Sequence, residues 1–443
     1  CLYLTGGRKS VRRLFVFLLC VLLATPGRAA SLINDTEIER YLIELVTPIA
    51  TAADIPAKRL RVHIVRDDDF NAFVMGGDDV YIYTGLLMQI KNPDALQAVV
   101  AHELGHTIGG HMAQMSSRMT AEMHRAMLIQ ALGIGLMVAG GNPSLGAGVV
   151  AGSSGIASQS MMAFSRDEER IADNLGLDLM VRAGQNPNGF ITVFEQMQEQ
   201  TGVMESRINP TRVNHPLTTE RLKNVRDRIA KMNYTAPPKN ATRDAKFELV
   251  RAKLIGYLDT PTRVNELYPT RDKRDAAVYA RAIAAMQTGD LAAAKSETQR
   301  LISRDGSNPY FYELLGDIQY QFGHYDDSVI AYEKSLKLAG NAPQIQTALA
   351  LVLTERNKPG DRTRAIELCK RAILAEAAPL TYWVLARAYG DDDSGRAAWA
   401  TAEYYNMIGD KKNARKYAKI AQKKLKSDDA EYIKSGDILS STK

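Results

Sequence analysis

Short stretches in which the type of side chain alternates from one residue to the next precede the longer apolar runs of this 443-residue chain. Residues 80–84 alternate aromatic and aliphatic side chains, which is typical of a β-strand, and residues 70–75 can pair with them as a hairpin through Gly76-Gly77. Helices are predicted for later segments, among them 95–101, 189–200 and 218–232. The pattern predicts an α+β, mostly helical protein in which a small sheet precedes the first long helix.

Beyond residue 243 the chain becomes helical and repetitive. Gly-Asp or Gly-His pairs at Gly289, Gly323 and Gly360 precede prolines by 20, 20 and 19 residues, and the first two pairs are 34 residues apart. That interval is the tetratricopeptide period, in which each unit is a helix pair that buries its apolar face only against its neighbours. We predict an all-α tetratricopeptide repeat domain over 244–443, with a groove and a divergent fourth unit after an insertion around 391–395.

The most chemically specific motif is His102-Glu103-Leu104-Gly105-His106, which follows the apolar run 95–101. Two histidines four residues apart lie on one face of a helix, where both imidazoles reach one metal ion and the intervening Glu lies beside its open coordination position. Asn92 is a favourable N-cap and Pro93 suits the first turn, so the sequence supplies the helix that the motif requires. The motif predicts a hydrolytic zinc site.

Two histidines do not hold a catalytic zinc ion, so a third ligand is required. The metzincin pattern is excluded, because Met112 occupies its third ligand position and His111 lies one residue short of it. Within residues 165–173, Glu169 and Asp173 are spaced to share a helix face, where one carboxylate could bind zinc and the other could orient a ligand histidine. By spacing alone, a solvated helix start is the commoner explanation of such an acidic cluster.

Further motifs occur in a fixed order along the first half of the chain. They are Asn71-Ala72-Phe73, Gly76-Gly77, 81–86, the histidine motif, Glu169 to Asp173, and His215-Pro216 with Arg221. Together they resemble the HtpX and Oma type of zinc peptidase, which implies a gluzincin-like metalloprotease domain with a small β-sheet, here over residues 30–236. A linker is predicted at 237–243, where two prolines interrupt the helices.

The resemblance implies roles for the residues that match these motifs. It makes His102, His106 and Glu169 the ligands of one zinc ion per chain. It makes Glu103 the general base and Asp173 the carboxylate that orients a ligand histidine. Zinc lowers the pKa of a bound water to about 7, so Glu103 can take its proton for attack on a peptide carbonyl. The implied reaction is peptide hydrolysis.

The same resemblance brings two more residues and one strand close to the metal. His215 and Arg221 would stabilise the oxyanion of the tetrahedral intermediate. Alternatively, a neutral His215 would reach the open zinc position, displace the water and switch the enzyme off. The strand that begins Asn71, Ala72, Phe73 would be an edge strand that binds unfolded substrate in extended form.

The amino terminus has the composition of an export signal. Basic residues precede an apolar core at 14–24, and small residues follow up to Ala29, which predicts a signal peptide over 1–29 and a periplasmic location. The core is short for a bilayer span, so an uncleaved anchor is the weaker alternative. Removing residues 1–29 takes away five basic and no acidic residues and lowers the formal charge from +6 to +1. No basic stripe remains, so no nucleic-acid partner is expected.

Two other features bear on location and partners. The apolar limb at 126–139 is too short to cross a bilayer, and residues 126–157 predict a helical hairpin that lies over the active site as a lid or contacts a membrane surface. A buried core hairpin is the alternative. Cys369 is the only cysteine after residue 29 and is predicted to lie in the core.

A signal-bearing protease of this type followed by repeats resembles the beta-barrel assembly-enhancing type of protease of the Gram-negative periplasm. The resemblance implies a zinc endopeptidase that cleaves misfolded or stalled outer-membrane proteins. Its repeats would recruit unfolded or misassembled polypeptide substrates, or bind the barrel assembly machinery. A periplasmic chaperone or adaptor that acts through its repeats is one alternative, and a processing peptidase with a single substrate is another.

Overall fold

The computed structural model describes residues 31–111, 164–204, 215 and 219–442, which form four strands and 18 helices. The strands are β1 Ser31–Ile33, β2 Arg61–Arg66, β3 Ala72–Met75 and β4 Asp79–Tyr83. The helices up to residue 258 are α1 Thr36–Ala52, α2 Thr84–Gln89, α3 Pro93–Ile108, α4 Arg166–Arg182, α5 Gly189–Met204, α6 Thr219–Lys231 and α7 Ala241–Leu258. This confirms the mostly helical α+β class. The predicted signal peptide 1–29 and the predicted hairpin 126–157 lie outside the described residues.

The remaining helices follow one another to the end of the described chain. They are α8 Pro261–Leu267, α9 Asp275–Thr288, α10 Leu291–Arg304, α11 Pro309–Gln321, α12 Tyr325–Ala339, α13 Pro343–Arg356, α14 Asp361–Ala375, α15 Pro379–Tyr389, α16 Ser394–Met407, α17 Lys411–Lys424 and α18 Ala430–Ser441. Within the described residues, no helix is both long and apolar enough to cross a membrane.

The sheet confirms the predicted hairpin. Its strand order is β1-β2-β4-β3, and β3 pairs antiparallel with β4 through the turn at Gly76 and Gly77, whose φ angles are 62° and 89°. Only glycine adopts two successive positive φ angles without strain, which explains this dipeptide. Strand β3 lies at the edge of the described sheet, the position that the family resemblance implies for it.

One face of the sheet is buried and the other carries a row of rings. His63, Tyr81 and Phe73 are cross-strand neighbours, and their rings stack with centroids 4.6 and 4.7 Å apart. The ring of Tyr83 meets that of Phe73 edge-on at 6.2 Å. Such cross-strand pairs stabilise a sheet, so ordinary strand packing accounts for the two tyrosines.

Helices α3 and α4 approach so closely that their backbones touch. A Cβ atom added to Gly105 would lie 2.5 Å from the carbonyl oxygen of Ala172, and one added to Gly176 would lie 3.0 Å from the backbone of Ala101. The two glycines therefore permit a helix crossing that no larger residue allows. This crossing brings the face of α3 with the two motif histidines onto the acidic face of α4.

The chain divides into two compact units. One contains residues Glu39–Phe247 with the sheet, and the other contains Glu248–Lys443 together with Asn34–Ile38. The boundary falls inside α7, which begins at Ala241, within the predicted linker 237–243. The helix starts there because the side chain of Asn240 accepts a hydrogen bond from the backbone N–H of Arg243 and caps it. The domain limits stay a prediction.

The second unit consists of consecutive helices, and two of them begin at residues that the sequence pattern singled out. Asp290 caps α10, and Pro309 opens α11 behind the N-cap Asn308. The prediction of an insertion around 391–395 is wrong. Asp393 caps α16 directly after a turn from α15, so these residues are the connection of a further helix pair. A Gly-Asp pair, Gly390-Asp391, lies in this turn, so the interval from Gly360 to Gly409 contains one more helix connection rather than an insertion.

Cys369 lies in the core of this unit, as predicted. It is fully buried among apolar side chains of α13 to α16, and burial raises the pKa of its thiol to about 12. A thiol with such a pKa carries almost no thiolate at neutral pH and is unreactive.

Candidate metal centre

Helix α3 is built as the sequence predicts. The side chain of Asn92 accepts a hydrogen bond from the backbone N–H of Ala95, and Pro93 occupies the first turn. Both motif histidines are buried, with exposed fractions of 7% for His102 and 1% for His106. The helix therefore presents its two imidazoles toward the protein interior, where ligands for a metal can be held without competition from bulk water.

Helix α4 supplies the carboxylates. The Ser165 hydroxyl accepts a hydrogen bond from the backbone N–H of Glu168, and the Glu168 carboxylate accepts one from the backbone N–H of Ser165, so a capping box fixes the first turn. Asp167 on this turn is solvated, but Glu169 is fully buried and Asp173 is 4% exposed. The alternative of a solvated helix start is therefore wrong for the last two residues, because a buried carboxylate requires a partner.

Four side chains from three parts of the chain converge on one point. His102, His106, Glu169 and His215 each offer a ligand atom, and these atoms all lie within 4.8 Å of one another. The Nε2 atoms of His102 and His106 are 3.1 Å apart, and the Glu169 carboxylate lies 3.3 Å from the first and 3.6 Å from the second. The Nδ1 atom of His215 lies 3.3 Å from His102 Nε2 and 2.8 Å from Glu169 Oε1.

These separations suit a divalent cation. A tetrahedral zinc site with bonds of about 2.0–2.1 Å keeps its ligand atoms about 3.3 Å apart, close to the 2.8–3.6 Å measured between the four donors. Imidazole nitrogens this close to one another and to a carboxylate repel unless they share protons or surround a cation. Three imidazoles and a carboxylate are also a donor set that zinc prefers. The cluster could therefore hold a metal ion.

Asp173 and Arg221 surround these donors. Asp173 Oδ1 lies 2.9 Å from His102 Nδ1, on the ring edge opposite the Nε2 atom that faces the cluster. The guanidinium of Arg221 donates to both oxygens of Asp173 at 2.8 and 2.9 Å and pairs with Glu169 Oε2 at 2.7 Å. Arg221 is 7% exposed and packs over the ring of Phe194. These contacts direct the guanidinium at the two carboxylates of α4.

Protonation in the cluster follows from burial and neighbouring charge. Burial lowers the pKa of His106 to about 2, with His102 and His215 adding to the effect, so this ring is a neutral imidazole with a lone pair to donate. Burial would raise the pKa of Glu169, but hydrogen bonds from His102 and His215 outweigh it and keep the carboxylate ionised. Both residues are in the form that binds a metal.

Glu103 lies beside the donors rather than among them. Its Oε1 is 3.5 Å from His215 Nε2, and its side chain is almost completely buried. Burial raises the pKa of Glu103, against the opposing charges of His215 and His102. A carboxylate with a raised pKa is a better proton acceptor at neutral pH, which suits a general base.

Two residues of the site were missed by the sequence analysis. His111 is 2% exposed and places its Nδ1 atom 2.9 Å from His106 Nδ1. Phe164 stacks on the ring of His106 with centroids 3.9 Å apart. His111 follows the motif by five residues and was considered only as a failed third ligand, whereas no sequence signal marks Phe164.

The substrate-strand prediction also has a structural counterpart. Strand β3 packs against α3, the helix of the motif. The carbonyl of Asn71 accepts a hydrogen bond from the N–H of Tyr83, so that residue faces β4. Backbone groups alternate in direction along an antiparallel strand, so Ala72 and Val74 turn theirs away from β4, while the ring of Phe73 joins the stacked row.

Comparison with known proteins agrees with this geometry. Residues 36–229 match the model of Peptidase family M48, a range that begins at the first residue of α1 and includes strands β2 to β4 and all four donors. This part of the chain is similar to M48 peptidases. The zinc-peptidase resemblance carried by the motifs is therefore confirmed.

Several curated relatives are metalloproteases. The chain is 26% identical over 344 residues to the beta-barrel assembly-enhancing protease of Escherichia coli, which covers 75% of this chain and 68% of that protein. It is 32% identical over 164 residues to the metalloprotease YcaL of the same species, covering 37% and 59%. It is 27% identical over 187 residues to the mitochondrial metalloendopeptidase OMA1 of Schizosaccharomyces pombe, covering 42% and 52%. The chain is a metalloendopeptidase.

Proposed function

We propose that the chain is a zinc endopeptidase of the bacterial periplasm that cleaves misfolded or stalled outer-membrane proteins. The observation that carries the proposal is the convergence of His102, His106 and Glu169, with the buried carboxylate of Glu103 beside them. The envelope context is supported by the relative named for beta-barrel assembly, whose alignment covers three quarters of this chain at 26% identity. A predicted export signal at 1–29 is consistent with this location.

The residues of the site divide into distinct tasks. His102, His106 and Glu169 would hold the zinc ion, which when bound polarises the scissile carbonyl and lowers the pKa of a water molecule. Glu103 accepts the proton of the attacking water and passes it to the departing amine. The carboxylate of Asp173 lies 2.9 Å from Nδ1 of His102 and so favours the ring orientation with Nε2 toward the metal.

Arg221 would act through the carboxylates. Its guanidinium spans Glu169 and Asp173, so it neutralises part of their charge and holds both in position. This geometry supports a role in building the ligand set, which differs from the oxyanion role that the family resemblance suggests for Arg221.

We infer that substrate binds in extended form along β3. The outward-facing backbone groups of Ala72 and Val74 would pair with an unfolded segment and bring it beside the motif helix, because a strand edge next to the catalytic helix aligns a peptide without reading its sequence. Folded proteins lack such free segments, which would make the enzyme selective for misfolded chains.

His215 would block the resting site. Its Nδ1 atom belongs to the four-donor cluster, so a ring in this position occupies the place that the attacking water needs. We expect His215→Ala to keep its zinc and to cleave a short unstructured peptide several times faster than the unaltered chain. If His215 instead stabilises the oxyanion, kcat falls by about 10²–10³-fold. His63→Ala, a substitution on the open sheet face, is the matched control.

The helical unit would serve recruitment. We propose that α9 to α18 form tetratricopeptide-type helix pairs that bind unfolded clients or the barrel assembly machinery, since stacked helix pairs provide an extended surface. Two alternative functions are tested alongside this one: an adaptor whose repeats act without proteolysis, and a processing peptidase with one substrate. The predicted membrane contact at 126–157 stays a prediction.

One experiment separates these alternatives. The purified chain is mixed with an outer-membrane barrel protein that has been diluted from urea, and with the same protein folded in detergent as the control. We expect multiple cleavage of the unfolded form alone, its loss after treatment with a zinc chelator, and its recovery when stoichiometric zinc is returned. Protection from aggregation without cleavage would favour the adaptor, and a single cut would favour the processing peptidase.

A further inference from the structure

The chain folds back on itself directly after the motif helix. Helix α3 ends at Ile108, Gly109 follows as its C-cap, and Gly110 takes a positive φ of 70°. A positive φ reverses the chain direction at low cost only for glycine. The turn places His111 beneath the helix end, where 2% of the residue is exposed. Two successive glycines thus return a histidine to the interior at the end of a helix that already carries two.

Zinc binding would fix the protons on the two ring nitrogens that meet there. His106 directs Nε2 into the donor cluster, 3.1 Å from His102 Nε2, so a metal bound there would take the lone pair of Nε2 and leave the proton on Nδ1. That Nδ1 atom lies 2.9 Å from the Nδ1 atom of His111. Only one of two facing nitrogens can hold a proton in a hydrogen bond, so His111 accepts through Nδ1.

We propose that His111 is a positioning residue that orients His106 as a metal ligand. It would accept the Nδ1–H of His106, in the position that the carboxylate of Asp173 takes 2.9 Å from Nδ1 of His102. The inference rests on the proposed zinc site and extends it to a residue outside the motif. A partner on the far ring nitrogen fixes both the tautomer and the angle of a ligand imidazole.

The two partners differ in chemistry. Asp173 is a carboxylate, which makes the His102 ring a stronger electron donor, whereas His111 is an imidazole and adds no negative charge. An imidazole partner therefore orients His106 without adding negative charge to a cluster that already contains Glu169. Less donation from the ligands leaves a bound zinc ion a stronger Lewis acid.

Two neighbouring residues constrain this arrangement. A Cβ atom at Gly109 would lie 2.6 Å from Nε2 of His111, so a side chain there would push the ring away. Phe164 covers a face of His106, with ring planes 29° apart, but offers no hydrogen bond. Orientation by stacking and orientation by hydrogen bonding can therefore be separated by mutation.

The test compares two variants of the full chain. His111→Phe keeps a planar ring but removes the acceptor, and His111→Asn places an amide oxygen near the position of Nδ1. Zinc affinity is measured by competition with a chelating dye. We expect His111→Phe to bind zinc about 10–100-fold more weakly, and His111→Asn to recover most of that loss. Gly109→Ala, which keeps the imidazole but displaces it, should also weaken binding.

A spectroscopic measurement supports the assignment. In the zinc-loaded chain with ¹⁵N-labelled histidine, the Nδ1 of His106 should appear protonated and hydrogen-bonded, and this signal should change in His111→Phe. Equal zinc affinity in the unaltered chain and His111→Phe would overturn the inference. Equal weakening in Phe and Asn variants that retain the unaltered melting temperature would also overturn it. Failure of the unaltered chain to bind zinc would instead refute the proposed function.

Discussion

Glu103→Gln should lower kcat for peptide hydrolysis by about 10²–10⁴-fold while the zinc content stays unchanged. Glutamine has the size of glutamate and fits the same buried position, but it cannot take a proton from water. Glu103 is not one of the four converging donors, so its replacement leaves the metal ligands in place. Peptide cleavage and zinc content would be measured on the same preparation.

A matched control separates the loss of a base from a general effect of Glu-to-Gln exchange. Glu199 pairs with Lys91 on the surface, with about two thirds of its side chain exposed, and Glu199→Gln should leave kcat unchanged. Full activity of Glu103→Gln would show that another group removes the proton. Loss of zinc from this variant would show that Glu103 contributes to the ligand set.

Arg221→Met should destabilise the peptidase unit by about 3–5 kcal/mol, because it leaves two buried carboxylates without their shared cation. The side chain is 8% exposed and pairs with Glu169 at 2.7 Å and with Asp173 at 2.8 Å. Methionine fills similar space without charge, so the loss reports electrostatics more than packing. The measurement is the free energy of unfolding in urea, followed by a signal from this unit.

The control lies on the same helix. Arg226 pairs with Glu195 at 2.6 Å, but both side chains are about half exposed, and such surface pairs contribute about 0–1 kcal/mol. Arg226→Met should therefore be nearly neutral. Added zinc should restore part of the stability of Arg221→Met, since a ligand that binds only the folded state stabilises it. A change below 1 kcal/mol for Arg221→Met would contradict the assigned role.

Local signals predicted the two helices of the site well. Asn92 and Ser165 cap α3 and α4 through their side chains, and the spacing of His102 and His106 requires only that the first helix forms. Such features depend on neighbours within four residues, so one sequence suffices to recognise them. The antiparallel hairpin is equally local, because Gly76-Gly77 determines its turn.

Long-range contacts could not be derived in the same way. Nothing in the spacing of the acidic residues shows that α4 lies against α3, and the choice of Glu169 came from the family resemblance. The stacking of Phe164 on His106 joins residues 58 positions apart. The wrong prediction of an insertion at 391–395 arose because Gly-Asp pairs mark the connection between two consecutive helices, whether both helices belong to one pair or to adjacent pairs.

The close approach of Gly105 to the backbone of Ala172 shows that a residue between the ligands of the motif also affects the site. Any residue larger than glycine at 105 would act as a wedge, moving the two imidazoles away from the carboxylate while every liganding group remained intact. The proposed zinc site would therefore depend on the close approach of two main chains as much as on the identity of the donor side chains. To recognise inactive homologues of such an enzyme, one should therefore inspect the residues between the ligands as well as the ligands themselves.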